Sequence, residues 1–131
     1  MTRDDYERYA AAFNARDYDA VYDFYAPGAR IAFFGVDLGS RAAFKRFYGF
    51  LHDYVDETLS VDRFAASDQL VALEGVIRIA ARRDLDAPTL QAEGLDQFFP
   101  IRAGEVQELR QFIHYHVQDG RFTAVHCAIM P

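Results

Sequence analysis

The chain has no tryptophan, one cysteine, one lysine and four prolines in 131 residues. The lone Cys127 has no partner, so no internal disulfide forms, and the expected compartment is a reducing cytoplasm. No apolar run approaches the ~18 residues that cross a bilayer. The opening MTRDDYERYA lacks the apolar segment of a signal peptide. Basic residues never cluster beyond a pair, and the net charge is -6 with a pI near 5.1. A phosphate backbone needs a basic face, so a nucleic-acid partner is excluded, as is a polybasic membrane anchor. Glycine-rich phosphate loops, nucleophile elbows and zinc signatures are absent too.

What is abundant is aromatic. Twelve Phe and eight Tyr make up 15% of the chain. Rings fill volume with few rotatable bonds, and Tyr adds a hydroxyl, so this composition suits a rigid core, an aromatic-lined cavity, or both. The length is that of one domain, residues 1–131.

The first half reads as helical. Thr2 caps a helix whose apolar stripe is Tyr6, Tyr9, Ala10 and Phe13, ending at Asn14-Ala15-Arg16. Asp17 caps a short second helix, which Pro27-Gly28 stops. Ala29 to Phe34 reads as a buried strand. Ser40 then caps a third helix with Phe44, Phe47, Tyr48 and Leu51 on one face, and His52 and Asp53 in solvent at its end. The second half reads as strands: Thr58 to Phe64, Leu70 to Ala81, Leu90 to Ile101, Val106 to Val117 and Phe122 to Ile129, with Asp119-Gly120 as a hairpin turn. The expected class is α+β: a cone-shaped, curved antiparallel or mixed sheet around a pocket, covered by three N-terminal helices.

Three segments carry a family resemblance: FNARDYDAVYDFYAPGARIAF, GSRAAFKRFY and GLDQFFPIRAGEVQELRQF. In order and spacing they resemble the SnoaL-like branch of the nuclear transport factor 2-like superfamily, from about Tyr6 to Phe112. That fold hosts isomerases, cyclases, dehydratases and non-catalytic binding proteins, so fold and activity are separate questions. Comparison with the ketosteroid isomerases of the same superfamily implies specific roles. Tyr9 and Asp96 fall on the oxyanion-hole pair, a tyrosine and a protonated aspartic acid. Tyr25 and Tyr48 fall on supporting tyrosines. The position of the isomerase's proton-moving carboxylate is Phe33 here. Asp37, four residues on, substitutes only if its loop folds over the pocket. The aromatic residues on the helix faces and strands, with Leu109 and Ile113 placed by the resemblance, give an expected pocket lining of Phe13, Tyr25, Phe33, Tyr48, Phe98, Leu109 and Ile113. The resemblance also implies no cofactor and a homodimer through the outer face of the sheet.

With a two-residue turn at Asp119-Gly120, Ile113 pairs with His126, and paired residues share a face. This makes His126 a candidate acid or base inside the cone, since imidazole titrates near neutrality. Cys127 becomes a buried thiol on the convex side. His114-x-His116 also points outward; it has the look of a metal pair but lacks a third ligand, so no metal is expected. Glu74 and Arg78 share one strand face, as an ion pair or a dimer contact. Two readings follow: a cofactor-free isomerase, cyclase or dehydratase acting on a small apolar carbonyl compound, and a pocket or dimerisation domain without chemistry.

Overall fold

Thr2 begins the first helix in a reciprocal capping box with Asp5. In the computed structural model, which describes Met1–Pro131, helix α1 (Arg3–Asn14) buries Tyr6, Tyr9, Ala10 and Phe13. Helix α2 (Tyr18–Tyr22) starts on Asp17, whose carboxylate accepts the Ala20 N–H. Helix α3 (Arg41–Tyr54) starts on Ser40. Its buried face, Phe44, Phe47, Tyr48, Leu51 and His52, follows three- and four-residue spacing.

The sheet has five strands in the order β1-β7-β6-β5-β4. They are β1 (Tyr25–Arg30), β4 (Val55–Ala66), β5 (Leu70–Ala81), β6 (Val106–Gln118) and β7 (Arg121–Ile129). All neighbours are antiparallel except β1, which runs parallel to β7. A separate hairpin, β2 (Ala32–Phe33) with β3 (Val36–Asp37), stands off the sheet. The fold is therefore α+β, a curved mixed sheet covered by N-terminal helices, as the sequence suggests.

Two devices shape the sheet. Gly75 faces inward opposite Gln111, where an added Cβ would lie 2.9 Å from both the Ser60 carbonyl oxygen and Leu73 Cδ1. Only glycine lets the strands close up there, beside the register slip between Val61 and Arg63. Strand β4 is an edge. Asn14 covers part of it, its side-chain amide donating to the Leu59 carbonyl at 3.0 Å and accepting the Leu59 N–H at 2.7 Å. That pair imitates a strand partner and ties the end of α1 to the sheet.

Two expected elements differ. The strand expected over Ala29–Phe34 is split: Tyr25–Arg30 joins the sheet, and the chain then folds into the β2–β3 hairpin. Leu90–Ile101 is not a strand. Asp86 accepts the Thr89 N–H and caps a short helix, α4 (Ala87–Ala92), with Pro88 in its first turn. Gly94, at φ +74, then turns the chain so that Leu95 and Phe98 reach the core. The buried residues there, Leu90, Leu95, Phe98 and Ile101, are spaced for helix and turn instead of for a strand.

Candidate functional site

The inner face of the sheet and the helices enclose a cavity of about 580 Å³, lined by 23 residues of which 19 are hydrophobic. That volume suits a ligand of one to three rings. Six of the seven expected lining residues border it: Phe13, Phe33, Tyr48, Phe98, Leu109 and Ile113. Tyr25 lies behind the wall, buried, with its hydroxyl 2.8 Å from that of Tyr9.

The tyrosines are grouped. Tyr9, Tyr48 and Tyr115 border the cavity, and Tyr6 backs Tyr115 with hydroxyls 2.8 Å apart. The rings of Tyr6, Tyr9, Tyr25 and Tyr115 pack edge-on or tilted around Phe122. Burial raises the Tyr9 hydroxyl; hydrogen bonds from Tyr25 and then Tyr115 oppose it, and the group settles at about 12. Burial also holds Tyr6, Tyr25, Tyr48 and Tyr115 well above the ordinary phenol value. Each is thus a neutral hydroxyl able to donate.

Polar side chains on the wall are few. Gln107 and Gln111 project from β6, and Glu57 projects from β4. Glu57 Oε1 accepts a hydrogen bond from His52 Nε2 at 2.9 Å, and His52 Nδ1 lies 2.8 Å from the Tyr18 hydroxyl. Contrary to expectation, His52 is not in solvent: it is 3% exposed. It lies four residues after Tyr48 and eight after Phe44, on the helix's apolar stripe. Glu57 lies one residue before the strand expected at Thr58, because β4 starts earlier, at Val55. Carried back along β4, the parity of Leu59 and Val55 puts Glu57 on the inner face.

The other acidic candidates lie elsewhere. Asp96 is exposed and does not border the cavity, because the segment around it turns outward after α4. A Tyr9/Asp96 pair around one ligand oxygen is therefore not formed. Asp37 is exposed on β3, where its carboxylate accepts the Gly39 N–H at 2.8 Å. It shapes the loop before α3.

The second hairpin corrects the expected parity. Val117 pairs with Phe122, but a bulge follows, and His116 pairs with Ala124, His114 with His126 and Ile113 with Cys127. One extra residue reverses the faces of β7. His126 contacts the cavity's edge but joins His114 and His116 on the outer face, its ring 5.2 Å from that of His116. Cys127 borders the cavity as an exposed residue, while partial desolvation by the groups around its sulfur pushes its thiol up to about 11. No group of three or more His, Cys, Asp or Glu side chains is arranged to hold a metal ion. Phe112 is outward and 40% exposed. Glu74 pairs with Arg63 at 3.2 Å instead of with Arg78.

At the mouth, Phe34 packs on Phe98 with ring centroids 4.7 Å apart, and Phe98 stacks on Phe99. Phe34 and Gly35, at φ +52 and +77, form the tight turn of the β2–β3 hairpin.

A SnoaL-like domain description matches residues 6–125. The chain belongs to the SnoaL-like family. Solved structures agree. One from Xanthomonas campestris pv. campestris, named a "putative polyketide cyclase", is 28% identical with a TM-score of 0.70, covering 91% of this chain and 82% of its own. One of the same name from Silicibacter sp. is 20% identical with a TM-score of 0.74, covering 97% and 87%. A protein of ketosteroid isomerase-like fold from Catenulispora acidiphila, in complex with trimethylamine, is 11% identical with a TM-score of 0.71, covering 98% and 86%. No curated protein matches the chain. No helix is long and apolar enough to cross a membrane.

Proposed function

We propose that this SnoaL-like domain binds a small, mainly apolar ring carbonyl compound or its enol, and that Tyr9 donates a hydrogen bond to the ligand oxygen. The observation that carries this is the neutral Tyr9 hydroxyl, held 2.8 Å from that of Tyr25 at the wall of a cavity whose lining is hydrophobic at 19 of 23 residues. A donor fixed in a water-poor site stabilises an oxygen on which charge develops. That is the need of isomerisation, ring closure and dehydration beside a carbonyl. The polyketide cyclase name borne by two structural neighbours supports a polycyclic, polyketide-like substrate class.

A second reading, binding without chemistry, is favoured by Phe33 at the isomerase's carboxylate position and by the exposure of Asp96. Both readings include a homodimer through the outer sheet face, supported by the exposed Val106 and Phe112 on that face.

The test is a titration with β-naphthol, an aromatic enol. The expected result is binding that Tyr9→Phe weakens by about tenfold, the loss of one buried hydrogen bond. Leu109→Trp, which fills the cavity, is expected to abolish binding. Binding indifferent to both changes would overturn the assignment.

A further inference from the structure

One carboxylate faces the cavity that neither the family resemblance nor the tyrosine group explains. Glu57 sits on the inner face of β4 between Val55 and Leu59, both buried. A charge among aliphatic residues is costly unless it is paired. Its side chain is 10% exposed and its partner His52 only 2%. A carboxylate only accepts, so His52 Nε2 carries hydrogen toward Oε1.

Behind the imidazole, Tyr18 satisfies either protonation state. With a neutral ring, the Tyr18 hydroxyl donates to Nδ1 at 2.8 Å. With a charged ring, Nδ1–H donates to Tyr18, whose hydroxyl turns to the Tyr48 carbonyl at 3.4 Å. Glu57 Oε2 has no hydrogen-bond partner in the protein, yet no side-chain oxygen is sealed off without one. One oxygen is therefore fixed and the other is open, on a residue that borders the cavity.

We propose that Glu57 is the acid–base residue of this cavity and that His52, backed by Tyr18, is its positioning residue. The proposal rests on the reading of the cavity as a carbonyl site with Tyr9 as donor. In the step, Glu57 Oε2 takes the proton from the carbon next to the carbonyl. The C–H electron pair becomes the C=C bond of an enolate, and the carbonyl π pair moves onto the oxygen that Tyr9 holds. The proton then returns from Glu57 to that carbon or to one conjugated with it, and the carboxylate is regenerated with nothing consumed. The titratable and charged groups around the dyad are Tyr9 of α1, Tyr18 and Arg16, Tyr48 and Asp53 of α3, Asp56 of β4, and Arg82, whose guanidinium donates to the His52 carbonyl.

The experiment uses β-tetralone in deuterium oxide, with loss of its acidic carbon-bound protons followed by NMR, beside β-naphthol titrations. Wild-type protein is expected to speed exchange above buffer. Glu57→Gln is expected to slow it by about 100-fold or more, while the β-naphthol Kd moves by less than about threefold. His52→Gln is expected to slow exchange by about tenfold and to shift the acid limb of its pH profile, which a purely structural role would leave in place. Exchange by Glu57→Gln at the wild-type rate, or no wild-type exchange despite β-naphthol binding, would overturn the proposal and leave the binding reading intact. An unshifted pH profile in His52→Gln would remove the positioning role. Failure of the wild type to bind β-naphthol would bring down the carbonyl-site reading itself, and the proposal with it. If Glu57→Gln does not fold, Glu57→Asp decides, with exchange expected about tenfold slower because its carboxylate stops one methylene short.

Discussion

The hydroxyls of Tyr9 and Tyr25 lie 2.8 Å apart, both rings within the core. The pair converts burial into a dependence of stability on pH. An unfolded tyrosine ionises near pH ~10, whereas Tyr9 in the fold is held at about 12. A raised folded value means the folded state keeps its proton longer, so the contribution is full below the unfolded value and is lost as pH climbs toward the folded one. Tyr6, Tyr25, Tyr48 and Tyr115 are shifted in the same direction. Denaturant midpoints are expected to fall steeply above pH ~10. Five of the eight tyrosines should ionise only as the protein unfolds, seen as a slow phase in tyrosinate absorbance. A single fast absorbance step for all eight would contradict this burial.

The link between Asn14 and Leu59 makes a sharper stability prediction. One side chain serves both backbone groups of an edge-strand residue. Asn14→Ala leaves a partly buried N–H and C=O unpaired, which costs about 2 kcal/mol. Asn14→Asp keeps the acceptor but loses the donor, and should fall between the two. Urea midpoints at unchanged m-value check the order. A midpoint for Asn14→Ala equal to wild type would show that water replaces the amide without loss.

The inner and outer faces of β5 and β6 were readable from residue alternation, because Ile113, Tyr115 and Val117 alternate with polar residues over a long run. The face of β7 was not, because a one-residue bulge at His116/Val117 leaves no mark in the sequence. That single residue moved His126 out and Cys127 in. Asp96 failed for a different reason: its neighbours Leu95 and Phe98 are buried by a turn, so the aspartate is carried outward however closely the segment resembles a pocket strand. Glu57 and His52 were legible in principle. Each lies on the apolar parity of its own element, where a charged or titratable residue stands out.

The corrected face of β7 gives Cys127 a measurable property. Cys127 borders the cavity as an exposed residue, and partial desolvation pushes its thiol up to about 11. The thiolate is the reactive form, so alkylation is expected to be slow near neutrality and to speed up with pH. A bound β-naphthol should slow it further, since both occupy one cavity. Alkylation unaffected by ligand would mean that reagents reach the sulfur by another path.

The outer face bears on assembly. Phe112 and Val106 are 40% and 48% exposed there, close to the ion pair of Arg63 with Glu74. Exposed apolar side chains on an open sheet face are the usual core of an interface between copies. With the homodimer as the working proposal, Phe112→Glu places like charges across a two-fold contact and should convert the dimer to monomer in sedimentation equilibrium. The cavity lies on the opposite face of the same strand, lined by Gln111 and Ile113. β-Naphthol affinity is therefore expected to change little in the monomeric variant. A wild-type protein that sediments as a monomer would refute the outer-face dimer. A dimer that withstands Phe112→Glu would place the contact elsewhere on the surface.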